Sequence, residues 1–190
     1  MIPQSAIERI DQFAREQAEI LQAPSVFHID LALEVGKRIA SKMKADWEVV
    51  CAGLLLMDCQ LGEALKQGDV PSHVRMSEVK TESILNEYPE ITDEEKANIL
   101  ACVREHHGAV KFSTLESEVC CNADCYRFAS IKGCLGGMVN SRSMPLDEMI
   151  DLYSKKADEK WNALSLDICK EELRPQYEAI KKLLNLYQRN

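Results

Sequence analysis

The sequence predicts an all-α fold in a single domain. Apolar residues recur at helical spacing from end to end, and no stretch alternates β-branched residues over a usable length. At the centre, Val49–Asp58 runs through nine apolar or small residues and then stops on a carboxylate. That run is too short for a membrane span, which needs about 20 apolar residues. A short segment that is apolar all round is a helix buried in the middle of a globular domain. Asp58 then sits against dry walls, where an unpartnered carboxylate costs several kcal/mol, so it must be hydrogen-bonded, paired or metal-bound.

The other elements follow in order. Ile7, Ile10, Phe13, Ala14 and Ala18 form one face of a first helix, which breaks at Pro24. Ser25 caps a second helix whose stripe of Leu31, Val35, Ile39 and Met43 includes His28 one turn earlier. Asp46 caps the central helix, which ends at Asp58. Gln60–Ser72, with Gly62, Gly68 and Pro71, reads as a partly helical connection. A helix over His73–Tyr88 stops at Pro89, and Thr92 with Glu95 forms a capping box for a helix running past His106 to Gly108. Ser113-Thr114-Leu115-Glu116 offers a second capping box and opens a helix carrying Asp124. Gly133, Gly136 and Gly137 predict a loosened segment. Pro145 opens a helix over Leu146–Trp161, Ser165 caps the last stretch, and Pro175 should kink or restart it. The motif-bearing core spans about residues 25–128, with helices of residues 145–188 packed on it, all within one domain of residues 1–190.

With 190 residues the chain can bury roughly 70% of its unfolded surface. A formal charge of −8 and the lack of a basic patch interleaved with aromatics argue against nucleic acid as a partner. Met1–Gln22 mixes charges on an amphipathic pattern and lacks the layout of a signal peptide, so the expectation is a cytoplasmic protein with no membrane partner. In that compartment the eight cysteines read mostly as small buried hydrophobes. Cys120, Cys121 and Cys125 around Asp124 offer a soft-metal site as the minor alternative. The amphipathic segment Gln176–Leu186 packs on the domain or on a second copy, which leaves room for a homo-oligomer.

His28, Asp58, His73, His106 and Asp124 interrupt otherwise apolar helix faces. Each alone reads as a satisfied structural residue, but together they are the ligand types that suit divalent zinc, manganese or iron. In order and spacing, His28, Leu-Leu-Leu-Met57-Asp58, His73, Val103-Arg104-Glu105-His106-His107 and Asn122-Ala123-Asp124 resemble the HD-domain superfamily of metal-dependent phosphohydrolases over residues 25–128. The resemblance implies a helical bundle of the HD-domain type that holds manganese, iron, zinc, nickel or magnesium. His28 and Asp124 would be primary ligands, Asp58 a catalytic ligand able to bridge two ions, and His73 and His106 ligands of the second. His107 is the spare, a helix cap or a solvent-facing residue, with replacement of His106 as the minor alternative. Arg104, Lys111, Arg127 and Arg142 are candidates for phosphoryl-oxygen contacts by position, and ordinary surface charges by composition.

One position departs from the family. Met57 stands where the family's naming doublet has His, and a neutral thioether binds hard divalent ions poorly. Two main functions follow, with a purely structural helical interaction module as a weaker third. One is a phosphohydrolase acting on a small phosphate ester or nucleotide, with a weakened site of His28, Asp58 and Asp124 completed by His106 or His73. The other is a catalytically silent relative that binds a ligand or a partner. The substrate-binding residues are not legible, and no organic cofactor motif is present.

Overall fold

The computed structural model describes residues 2–141 and 143–188. Ten α-helices follow one another with no strand among the described residues: α1 Gln4–Leu21, α2 Val26–Met43, α3 Trp47–Leu56, α4 Leu61–Gln67, α5 His73–Leu85, α6 Asp93–Glu105, α7 Leu115–Ala129, α8 Ile131–Asn140, α9 Leu146–Ala163 and α10 Asp167–Gln188. A 3-10 turn, Val70–Ser72, precedes α5. Among the described residues no helix is long and apolar enough to cross a membrane.

Two helices form the centre. Every residue of α3 from Val49 to Leu56 is buried, and it lies between α1, α2, α6 and α7. Helix α7 packs against α2, α3, α6, α8, α9 and α10, and nearly all of it is buried. The main core gathers around these two helices, and Met57 belongs to it. A smaller apolar cluster joins α8, α9 and α10 through Cys134, Ile150, Tyr153, Ala157, Ile180 and Leu184.

Local chemistry explains the starts. The Ser25 side chain accepts from the His28 N–H, Asp46 from the Val49 N–H, and Thr92 with Glu95 closes a reciprocal box on α6. The box on α7 falls one residue later than expected. Thr114 and Ser117 exchange it, because Glu116 instead accepts from the Asp46 N–H at 2.9 Å and the Asn98 amide at 3.0 Å.

Three further expectations are corrected. The glycine-rich segment is helical, as α8. A Cβ at Gly133 would lie 2.2 Å from the Tyr126 carbonyl, and one at Gly137 would meet the Tyr153 hydroxyl at 2.4 Å, so these glycines permit close packing rather than loosening the chain. Ser165 does not begin α10, because Asn122 claims that turn: its side chain accepts from the Ser165 and Leu166 N–H groups and donates to the Ser165 hydroxyl. Helix α10 runs unbroken past Pro175 with Cys169, Leu173, Ile180 and Leu184 buried on either side, so packing outweighs a proline penalty of about 3 kcal/mol.

All eight cysteines are free and buried. Burial pushes the thiols of Cys51, Cys134 and Cys169 up to about 11, which makes them packing residues.

The close approach of α3 to α6 and α7 rests on Gly53, where an added Cβ would lie 2.5 Å from the Cys102 Cβ and 3.0 Å from the Cys120 sulfur. Gly53→Ala is expected to lower stability by about 1–3 kcal/mol through overpacking, against a helix-propensity gain of about 1 kcal/mol. Thermal unfolding followed by circular dichroism should show a lower Tm; a Tm equal to or above wild type would show that the α3–α6 contact yields easily.

Candidate metal centre

Helix ends converge on one buried spot. Asp58 lies in the turn after α3, His73 is the first residue of α5, and His106 caps the C-terminal end of α6, with His107 next. The C-terminal ends of α3 and α6 carry the negative poles of their dipoles, which favours a cation between them. One ligand atom from each of Asp58, His73, His106 and His107 lies within 4.8 Å of the others, so the cluster could bind a metal ion.

The ring orientations fit such an ion. His73 Nδ1 lies 2.7 Å from the Val70 carbonyl, and His106 Nδ1 lies 2.7 Å from the Val103 carbonyl. A carbonyl only accepts, so both Nδ1 atoms carry the proton, and in the neutral rings both Nε2 lone pairs face inward. They approach Asp58 Oδ1 at 3.4 Å and 3.3 Å. His106 Nε2 is buried without a hydrogen-bond partner. His107 Nε2 is 3.1 Å from His73 Nε2, while its Nδ1 faces Glu159 Oε1 at 3.3 Å and Lys160 Nζ at 3.1 Å. Lone pairs turned toward a carboxylate oxygen need a cation, either a proton or a metal. Histidines that tie the far nitrogen to a backbone carbonyl or carboxylate are oriented as metal ligands are.

The other side of Asp58 is built differently. Arg127 Nη1 donates to Asp58 Oδ2 at 2.5 Å and to Asp124 Oδ1 at 2.7 Å. Lys160 is paired with Asp124 Oδ2. All four side chains are buried. Burial alone would raise the Asp58 carboxyl, but the Arg127 charge, followed by the His106 and His73 rings that face it, holds it well below its ordinary value. Burial also opposes the ionised Asp124 carboxyl, and Lys160 followed by Arg127 outweighs it. His73 is raised because Asp58 outweighs the burial of its ring, whereas burial lowers His107 against the pull of Glu159.

No family model matches this sequence, and no curated protein matches it. Solved structures do match. A predicted HD superfamily hydrolase from an uncultured Thermotogales bacterium superposes with a TM-score of 0.68 at 14% identity, covering 95% of this chain and 90% of that one. A Lactobacillus plantarum protein gives 0.72 at 14% identity, over 99% and 97%. Bacillus subtilis YpgQ, crystallised with ADP, gives 0.66 at 15% identity, over 96% of each chain. The chain has the HD-domain fold.

Within this HD fold, the cluster joins Asp58, His73 and His106 but contains neither His28 nor Asp124. Asp124 is engaged by Arg127 and Lys160. His28 is buried beside Phe27 and Phe128 with Nε2 unpartnered, and burial together with the Arg127 charge lowers it to about 3. His107, expected to be a spare, is the fourth member of the cluster. Arg127 is a buried ion-pair partner rather than a surface charge. Arg104 is exposed and pairs with Glu78, Lys111 is exposed, and Arg142 lies outside the described residues. Cys120, Cys121 and Cys125 join no group of potential ligands among the described residues. Lys160 had escaped notice in a charge-rich helix. Its signal is its register: it continues the buried stripe of Ile150, Tyr153 and Ala157 along α9.

Because both carboxyls are held low when folded, the stability they contribute is complete above about pH 4 and is lost as pH falls toward their folded values. Urea unfolding in chelator should show a midpoint that drops on acidification. The drop should be smaller in Asp124→Asn, which is less stable at neutral pH because two buried cations lose a partner. An acid limb identical in both proteins would remove Asp124 from this account.

Proposed function

We propose that the chain is a metal-dependent phosphohydrolase that acts on a small phosphate ester or nucleotide from the Asp58–His73–His106–His107 centre. The observation that carries this reading is the pair of imidazoles, each with Nδ1–H tied to a carbonyl and Nε2 turned to Asp58 Oδ1. Three imidazoles with one carboxylate favour manganese, iron, zinc or nickel over magnesium, which prefers an all-oxygen shell. A divalent ion held there supplies Lewis acidity toward a phosphoryl oxygen and a water of lowered pKa.

The chain's own groups supply the rest. Asp58, His73, His106 and His107 would hold the ion, and Glu159 and Lys160 both position the His107 ring from its Nδ1 side. An open cleft of about 440 Å³ leads away from His107, lined by Gly108–Val110, Phe112, Glu159, Asn162 and Ser165. It offers both apolar surface and polar groups to the organic part of a substrate. The crystal of YpgQ with ADP supports a nucleotide as the substrate class.

The second reading, a silent relative that binds its ligand without turnover, is favoured by Met57 in the apolar core and by Arg127 between the two carboxylates. Elemental analysis of protein purified without added metal, followed by a phosphatase and nucleotidase screen, separates the two. The phosphohydrolase should carry one transition-metal ion per chain, and Asp58→Asn and His106→Ala should each lower its turnover by about 100-fold or more. Metal-free protein that stays inert after manganese, iron, nickel and zinc are supplied would establish the silent reading.

A further inference from the structure

We propose that Arg127 and Lys160 are permanent counter-cations of Asp58 and Asp124, closing that carboxylate pair to metal and limiting the chain to a single ion on the opposite side of Asp58. The inference rests on the preceding reading only for the ion on the histidine side. The closure itself stands on the pair.

Two buried carboxylates that share a neighbour need two units of positive charge close by, whether from one divalent ion or from protein cations. The protein supplies both units. Arg127 Nη1 sits between Asp58 Oδ2 and Asp124 Oδ1, and Lys160 Nζ sits on Asp124 Oδ2. An ion bridging the carboxylates would need the volume that Nη1 occupies.

Neither cation can leave easily. Arg127 projects from the buried part of α7, and Lys160 from a face of α9 whose neighbours Tyr153 and Ala157 are in the core. Swinging out would drag a charge through apolar packing and leave the partner carboxylates unpaired. Nor is a replacement ligand at hand: Met57 is packed in the core as a soft thioether, and the His28 ring lies outside the ligand cluster. The same clamp sets how Asp58 can ligate. With Oδ2 held by Arg127, it offers the histidines Oδ1 alone.

The test is a manganese titration of the whole chain after dialysis against chelator, together with thermal unfolding of wild type and Arg127→Met, which removes the charge and keeps much of the stem. Wild type should bind one manganese per chain. In chelator, Arg127→Met should lose roughly 10 °C of Tm, the size expected for breaking a buried ion pair in a chain of this length. Manganese should raise the variant's Tm by more than it raises that of wild type, because a second cation position has opened. Two ions per wild-type chain, or an unchanged Tm for Arg127→Met in chelator, would overturn the proposal, as would equal manganese effects on the two proteins. If the variant does not fold, anomalous diffraction from manganese-soaked wild-type crystals decides. A peak among Asp58, His73, His106 and His107 with Arg127 in place supports the closure, and a peak between Asp58 and Asp124 ends it. Wild type that binds no manganese sinks the metal reading of the preceding section but not the closure, which the chelator measurement on Arg127→Met still decides.

Discussion

The row of alternating charges Asp58, Arg127, Asp124 and Lys160 is the constraint around which the rest of the molecule is arranged. Four ionised groups in a dry interior cost several kcal/mol each before pairing, and a loose arrangement would not recover it. The charges come from three separate places: the turn after α3, the C-terminal half of α7 and the last turn of α9. Their pairing therefore fixes those elements relative to one another. A buried network of this kind adds little net stability over a well-packed apolar core, but it is intolerant of displacement. That intolerance holds Asp58 Oδ1 at one position in front of the histidines.

The histidine side follows from where helices stop. A residue at a helix end can reach the orphan carbonyls or N–H groups of its own chain. His73 and His106 both use that opportunity, fixing their rings on carbonyls three residues earlier. The site is then made of side chains whose tautomer is set locally, while their convergence is set by the packing of α3, α5 and α6. This division explains how likeness in fold extends to chains sharing only 14–15% of their residues. Many apolar combinations fill the same stripes, so the fold survives wide substitution while the chemistry depends on a few positions.

Much of the architecture was legible because it is periodic. Helix identity, the caps at Ser25, Asp46 and Thr92, and the burial of Val49–Leu56 all depend on residues within one or two turns of each other. The errors have the opposite origin. Gly133 and Gly137 read as breakers because the groups they admit, the Tyr126 carbonyl and the Tyr153 hydroxyl, come from α7 and α9. Ser165 read as a cap because nothing local announces that Asn122, 43 residues earlier, accepts its N–H.

The sequence by itself determined the all-helical class, the buried central helix and the need for Asp58 to have partners, since an apolar run ending on a carboxylate permits little else. Which partners it has was decided only by tertiary packing. His106 and His107 are adjacent in the chain and equivalent by residue type, yet His106 is fully buried while His107 reaches the cluster from its rim, between His73 and Glu159. Arg127 looks like any other surface cation, and Lys160 is marked only by its register on α9, until α7 and α9 are brought against the turn after α3. Charge neutrality in a dry interior is a property of the assembled neighbourhood, and no single segment of the chain contains it.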